Sequence, residues 1–228
     1  MKNIQLILMA AIFCMAGIPA AFAQDYSRYL EAVTQLNRIN PLQNPEYESA
    51  DKILKRRILD RKNKVIGQVK DVIINDNGSL ASLEVDFDRL RLEGEVFVNY
   101  RDMGVRPATN SYMISFADEQ IEDMYPTLLA EMETASGEDE DAFSLRRLLG
   151  ASVKAYDGRK LGVVEDVLFS ANGGRAEALY ISLKGYNLRG ETLAIPLSMA
   201  EIEDRGFGKG IVLGDEQADA IIDYAEEN

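Results

Sequence analysis

The chain has 228 residues, of which 46% are hydrophobic and 28% are charged, so it is long enough for one large globular domain or two domains of about 100 residues. Its formal net charge of −13 would repel the phosphate backbone, which argues against a nucleic-acid partner. The sequence has no His or Trp, and its single Cys is Cys14, so catalysis by a Cys-His or Ser-His-Asp site and zinc held by thiolate and imidazole are excluded from the rest of the chain.

The N-terminus has the three parts of a secretory signal peptide, namely Lys2, an apolar run over residues 4–18, and the small-x-small triplet Ala21-Phe22-Ala23. We expect cleavage after Ala23 and a periplasmic or secreted product. An uncleaved membrane anchor is the alternative, because residues 4–23 are about long enough to span a bilayer. Pro19 and the cleavage triplet favour removal.

The chain repeats itself. Residues 66–73 (IGQVKDVI) recur as residues 161–168 (LGVVEDVL), and residues 114–120 (ISFADEQ) match residues 211–217 (IVLGDEQ). The offset between matched positions grows only from 95 to 97 residues along the unit. Such a small drift is typical of a duplicated folded unit.

Each unit has the period-two pattern of β-strands, since apolar residues occupy every second position. The alternating residues are Leu83, Val85 and Phe87 in the first copy and Leu179, Ile181 and Leu183 in the second. Further short strands are predicted over residues 96–98, 114–116, 193–195 and 211–213. Five or six short strands in a unit of about 90 residues indicate a small barrel or sandwich.

Asn-Gly pairs lie between the first two strands of each copy, at Asn77-Gly78 and Asn172-Gly173. Because both residues tolerate positive φ, we expect tight hairpin turns with positive φ at both central positions. After the last strand of each copy, Asp118 and Asp215 precede amphipathic runs, which predicts two helices with these carboxylates as N-caps. A further helix is predicted over residues 26–36.

These patterns predict a mainly β protein with flanking helices, built from two tandem small β-barrels, each followed by a short amphipathic helix. The predicted segments are a signal peptide (1–23), an N-terminal helix and linker (24–54), the first repeat (55–130), an acidic linker (131–144) and the second repeat with its C-terminal helix (145–228). The four adjacent acids at residues 138–141 lack the alternating spacing of a calcium loop, so we interpret them as solvated.

The second copy resembles the PRC-barrel domain, which is named for the photosynthetic reaction-centre H subunit and is shared with the C-terminal half of the ribosome maturation factor. The resemblance covers residues 149–214 and is carried by residues 156–168 (YDGRKLGVVEDVL), the Asn172-Gly173 turn and Ile195-Pro196-Leu197. The first copy, residues 55–117, keeps the Gly, the Asp and the hairpin but has Asn99-Tyr100 where the second has Ile195-Pro196.

The motif residues have a structural interpretation. Gly67 and Gly162 lie where a turn passes into a strand, which indicates a need for backbone freedom or for close approach of a neighbouring strand. Asp71 and Asp166 are expected to cap a turn or to bind local backbone amides. Pro196 completes the motif of the second copy.

The resemblance implies an assembly or docking module with no shared active site, metal or cofactor. We therefore expect an exported, non-enzymatic protein-binding or scaffold protein. One alternative is a small ligand or pigment bound between the barrels by Tyr112, Phe116, Tyr180 and Tyr186. Another is a hydrolase that uses paired carboxylates, although no spacing identifies an acid and a nucleophile.

For partners, the sequence predicts a monomer whose two barrels pack together as an internal pseudo-dimer, and a protein partner. A cationic stretch within residues 52–64 also allows contact with an anionic membrane surface or an acidic partner. Its cations are Lys52, Lys55, Arg56, Arg57, Arg61, Lys62 and Lys64.

Overall fold

The computed structural model describes residues 20–92, 94–134, 142–184, 190–205 and 208–227. Its helices are α1 (Ala20–Asn37), α2 (Ala50–Leu54), α3 (Asp118–Thr134), α4 (Leu145–Leu148) and α5 (Asp215–Glu227). The strands of the first half are β1 (Tyr47–Ser49), β2 (Arg57–Leu59), β3 (Val65–Asn75), β4 (Leu80–Asp86), β5 (Glu95–Asn99), β6 (Arg106–Ala108) and β7 (Ser111–Met113). Those of the second half are β8 (Ala142–Ser144), β9 (Ser152–Ala155), β10 (Lys160–Ser170), β11 (Ala176–Leu183), β12 (Thr192–Pro196), β13 (Glu201–Arg205) and β14 (Gly208–Leu213). Short 3-10 turns lie at Pro41–Gln43, Asp88–Leu90 and Leu197–Met199.

The strands form two seven-stranded sheets with matching topology. The first sheet has the order β5-β4-β3-β2-β7-β6, and the second has the order β12-β11-β10-β9-β14-β13. The registers match as well, since Asp71 lies opposite Glu84 in the first sheet and Asp166 lies opposite Tyr180 in the second. The prediction of two tandem β-rich copies, each followed by a helix, is confirmed.

Each sheet takes its seventh strand from the segment that precedes the other repeat. Strand β1 precedes the first repeat but pairs with β10 of the second sheet, with Ser49 opposite Leu168. Strand β8 precedes the second repeat but pairs with β3 of the first sheet, with Ser144 opposite Ile73. Strand pairing thus crosses the boundaries at which the sequence divides into linkers and repeats.

The core follows the alternating pattern of the strands. Leu83, Val85 and Phe87 are fully buried, as are Leu179 and Ile181 of the second copy. Apolar residues of α3 and α5 pack on the same interior, and buried side chains of both repeats form one continuous cluster. A continuous core and exchanged strands join the two repeats into one folded body.

The predicted strand over residues 114–116 is wrong, because these residues follow β7 instead of forming it. β7 pairs with β2 as β14 pairs with β9, so Tyr112 opposite Ile58 is the structural counterpart of Ile211 opposite Val153. From the matched positions Tyr112 and Ile211 to the first residue of the following helix, the first repeat has two more residues than the second. Matching residues 114–120 with 211–217 therefore aligns the two helices correctly. It also places residues 114–116 against β14, whose true counterpart is β7.

The hairpin turns also differ from the prediction, since only the glycines adopt positive φ. Gly78 has φ of 83° and Gly173 has φ of 69°, whereas neither neighbouring Asn is among the described residues with positive φ. Instead the Asn side chains stabilise the turns. Asn77 Oδ1 accepts the Ser79 N–H at 2.9 Å, and Asn172 Oδ1 accepts the Gly174 N–H at 2.8 Å.

Gly162 allows β10 and β11 to approach closely, because a Cβ atom at this position would collide with the carbonyl oxygen of Ser182. We expect Gly162→Ala to lower the free energy of unfolding by about 1–3 kcal/mol, measured by urea unfolding. Gly210→Ala is the matched control, since the nearest atom to its Cβ would be Ser152 Oγ at 3.7 Å. Equal stability of the two variants would contradict this explanation.

Candidate functional site

Asp166 binds the segment that the first repeat contributes to the second sheet. Its Oδ1 accepts the N–H of Ala50, the first residue of α2, at 2.8 Å, and the N–H of the adjacent Val167 at 2.8 Å. Burial raises the pKa of Asp166, and the two backbone donors partly offset that rise. The carboxylate therefore connects β10 to a segment 116 residues earlier in the chain.

Asp71 makes the reciprocal connection and is 5% exposed. Its Oδ1 accepts the N–H of Val72 at 2.8 Å and that of Arg146 in α4 at 3.1 Å. Its Oδ2 accepts the hydroxyl of Ser144, the last residue of β8, at 2.5 Å. Both motif Asp residues thus bind an amide next to them, as expected, and also the start of a short helix from the other half of the chain, which sequence reasoning missed.

The Asn172-Gly173 turn is bound by the first repeat. Arg56 Nη1 donates to the Asn172 carbonyl at 2.7 Å, and the Tyr112 hydroxyl donates to the Gly173 carbonyl at 2.6 Å. Arg56 is 2% exposed, pairs with Glu48 at 2.7 Å and lies 4.8 Å from the centre of the Tyr112 ring. A charge buried this deeply is stable only when it is paired and hydrogen-bonded.

The second repeat likewise binds the Asn77-Gly78 turn of the first repeat. Arg175 Nη2 donates to the Asn77 carbonyl at 2.7 Å, and the Ala176 N–H donates to the Gly78 carbonyl at 2.9 Å. The tips of both hairpins therefore lie in the contact between the repeats. Protein groups occupy this contact, where the sequence suggested a ligand.

The prediction that Asp118 and Asp215 are N-caps needs correction. Each is the first residue inside its helix, and Ala117 and Gly214 hold the cap positions. The capping bond comes from the glutamine three residues after each cap position. Gln120 Oε1 accepts the Ala117 N–H at 3.1 Å, and Gln217 Oε1 accepts the Gly214 N–H at 2.8 Å. The matched Asp-Glu-Gln triplet caps the helix through its last residue.

Four of the seven cations in the stretch 52–64 bind carboxylates of the chain itself. Lys55 pairs with Asp51 at 2.6 Å, and Lys62 pairs with Glu119 at 3.0 Å. Lys64 bonds to Asp118 and holds the pKa of that carboxyl well below its usual range. Arg56 is buried, and the other three cations of the stretch, Lys52, Arg57 and Arg61, are exposed and have no ion pair among the described residues. Membrane contact stays a prediction.

A cleft of about 290 Å³ lies beside β12, the terminal strand of the second sheet. Asn37, Asn40, Tyr180, Glu191, Thr192 and Tyr224 line it. Asn37 closes part of the strand edge, since its side-chain amide donates to the Ala194 carbonyl at 2.8 Å and its Oδ1 accepts the Ala194 N–H at 2.7 Å. The rest of the cleft is open to solvent beside the connection from α1 to β1.

Two large apolar side chains are exposed on that connection. Ile39 is 52% exposed and Leu42 is 50% exposed, while Pro41 between them is buried and lines the cleft. Tyr156, on the second repeat, is the third exposed large apolar side chain of the described residues. Exposed apolar residues next to a cleft are typical of interaction surfaces.

Of the four aromatic residues predicted to bind a ligand, the three that the structure describes do not line a common pocket. Tyr112 is buried in the contact between repeats, Phe116 is half-buried, and Tyr180 lines the cleft beside β12. Tyr186 lies outside the described residues. Pro196 ends β12 and precedes the 3-10 turn, opposite Ala178.

Neither a metal-binding cluster nor a membrane-spanning helix is present among the described residues. That part of the chain contains no group of three or more Asp, Glu, His or Cys residues that could hold a metal ion. None of the helices in the same part is long and apolar enough to cross a membrane. The acidic run 138–141 and the predicted signal up to residue 19 lie outside the described residues, and the predicted cleavage point after Ala23 lies within α1.

Removing one motif carboxylate tests its connecting role. We expect Asp166→Ala to cost about 1–3 kcal/mol, because the buried Ala50 N–H loses its acceptor, and to speed hydrogen exchange over residues 47–54. Asp166→Asn keeps an acceptor oxygen and should restore most of the stability. Unchanged exchange over residues 47–54 in Asp166→Ala would contradict the connecting role.

Comparison with known proteins agrees with this architecture. The family model of the PRC-barrel domain matches the chain twice, over residues 45–121 and 140–217. Both matches begin just before the exchanged strands β1 and β8. No curated protein matches the chain in sequence. Because the two matches cover more than half of the chain, the protein belongs to the PRC-barrel domain family.

Proposed function

We propose that this protein is exported and serves in the cell envelope as a non-enzymatic docking or assembly module. PRC-barrel domains suggest a protein-interaction or assembly role, and the family is generally non-catalytic. The signal-like pattern of residues 2–23 supports export. The observation that carries the docking role is the pair of exposed apolar residues, Ile39 and Leu42, beside the cleft at β12.

The docking surface consists of this cleft and the connection over residues 38–42. A partner would place an apolar side chain against Ile39 and Leu42 and a second group in the cleft. Glu191 lines the cleft, and the chain as a whole carries a net charge of −13. Charge complementarity therefore favours a partner segment with a basic residue next to an apolar one.

The cleft gives less support to catalysis. A glycosidase uses two carboxyl groups on either side of the bond that it cleaves. Glu191 is the one carboxylate among the described residues that line the cleft. A small apolar ligand is the second candidate occupant, because Tyr180 and Tyr224 line the cleft, whose volume lies near the lower end for ligand pockets.

Capture from an envelope extract of the host, with residues 24–228 as bait, tests the docking surface. We expect one stoichiometric protein to be retained by the wild type and lost with Leu42→Asp or Ile39→Asp, because each places a charge in the apolar contact. Tyr156→Asp is the control, since it changes an exposed aromatic residue elsewhere. Equal retention by all variants would place docking elsewhere. Absence of any partner would favour a small ligand.

Export and oligomeric state are tested separately. We expect the secreted protein to have the intact mass of a chain that begins at Gln24, and light scattering to give the mass of a monomer. A full-length chain in the membrane fraction would contradict cleavage. A dimer would contradict the proposal that the two repeats satisfy each other within one chain.

A further inference from the structure

The first sheet presents three exposed arginines around two half-buried apolar side chains. Arg106 on β6, Met113 on β7 and Leu59 on β2 lie directly opposite one another, so their side chains leave the same face of the sheet. Arg57 and Arg61 lie two residues to either side of Leu59 and are exposed, as Arg106 is. Because side chains two residues apart along a strand share a face, these five residues form one surface, here called the arginine face.

The arginine face has no carboxylate of its own among the described residues. Asp60, next to Leu59, is fully buried, and its Oδ1 accepts the N–H groups of Lys62 and Lys64, both at 2.8 Å. Asp118 and Glu119, which contact the turn after β2, bind Lys64 at 2.5 Å and Lys62 at 3.0 Å. The three arginines have no ion pair with any described residue. Three positive charges therefore face solvent together.

The second repeat shows that two of these positions lie within reach of each other. Strand register equates Arg106 with Glu201, and the matching turn bonds equate Arg61 with Tyr156. The Tyr156 hydroxyl donates to the Glu201 carboxylate. The arginine side chain is longer than that of Glu, so Arg61 and Arg106 can direct their guanidinium groups to one point. Where the second repeat has a hydrogen-bonded pair, the first has two like charges.

The chemistry of the arginine face suits phosphate groups at an apolar boundary. Two guanidinium groups that meet at one point repel each other unless an anion lies between them. A guanidinium binds phosphate oxygens through two parallel N–H···O bonds. Leu59 and Met113 add half-buried apolar surface between the cations, as in segments that lie in the headgroup region of a bilayer. We propose that the arginine face binds the phosphate groups of anionic lipids at a membrane surface.

The net charge of −13 does not prevent this contact, because charges more than about 8 Å away are largely screened at physiological salt. Each arginine close to an anionic surface raises membrane partitioning by about five-fold. The equivalent face of the second repeat carries Glu201 and is repelled by the same lipids. The arginine face is separate from the cleft at β12 and uses neither Ile39 nor Leu42.

Co-sedimentation of the mature chain, residues 24–228, with lipid vesicles tests the proposal. We expect binding to vesicles that contain phosphatidylglycerol and phosphatidylcholine, weaker binding as salt is added, and no binding to phosphatidylcholine alone. The double variant Arg61→Gln, Arg106→Gln should partition about 25-fold more weakly, five-fold for each arginine. The control Lys55→Gln, Lys62→Gln removes the same charge from cations paired with Asp51 and Glu119, and it should keep most of the binding.

Three results would overturn the proposal. The wild type might as well fail to bind phosphatidylglycerol vesicles as bind both kinds of vesicle equally, and either result excludes recognition of lipid phosphate. Equal losses in the two double variants would show that net charge alone governs binding. Loss in Leu42→Asp would place the membrane contact at the cleft, whereas wild-type binding by this variant separates the arginine face from the proposed docking surface. An unchanged thermal midpoint shows that each variant is folded.

Discussion

The reciprocal exchange of β1 and β8 is the interaction on which the rest of the structure depends. Each sheet reaches seven strands only with a segment from the other half of the chain. Asp166 and Asp71 bind these segments at the first turn of the helix that follows each strand. The hairpin tips and buried Arg56 complete the contact, so the tandem repeats form one body with approximate twofold symmetry.

The scaffold is symmetric, but the outer faces of the sheets differ. In the second repeat this face is apolar and buried beneath α1. Its residues on the neighbouring strands β10, β11 and β12 are Leu168, Ala178, Tyr180 and Ala194. The same positions in the first repeat carry Ile73, Ser82, Glu84 and Phe97, all half-buried. The two repeats therefore share the same strand pairing, but only the second sheet has this face buried beneath a helix. The chain that leaves α1 presents the exposed side chains of Ile39 and Leu42 beside the cleft at β12.

Local pattern explains what the sequence could predict. The repeat, the alternating strands, the hairpins and the amphipathic helices all depend on residues close together in the chain. The exchange of β1 and β8 escaped prediction because a three-residue strand carries no pattern that identifies its partner. Arg56 was grouped with its cationic neighbours, since its burial depends on Tyr112 and Asn172, which are far away in sequence. The displaced match of Ile114 shows how two extra residues mislead an alignment.

Strand exchange should make the two repeats one cooperative unit. Hydrogen exchange at increasing urea, followed in β4 of the first repeat and β11 of the second, tests it most directly. We expect both strands to open in a single transition with the same midpoint and the same dependence on urea. Two separate midpoints, with one strand protected while the other exchanges, would contradict it.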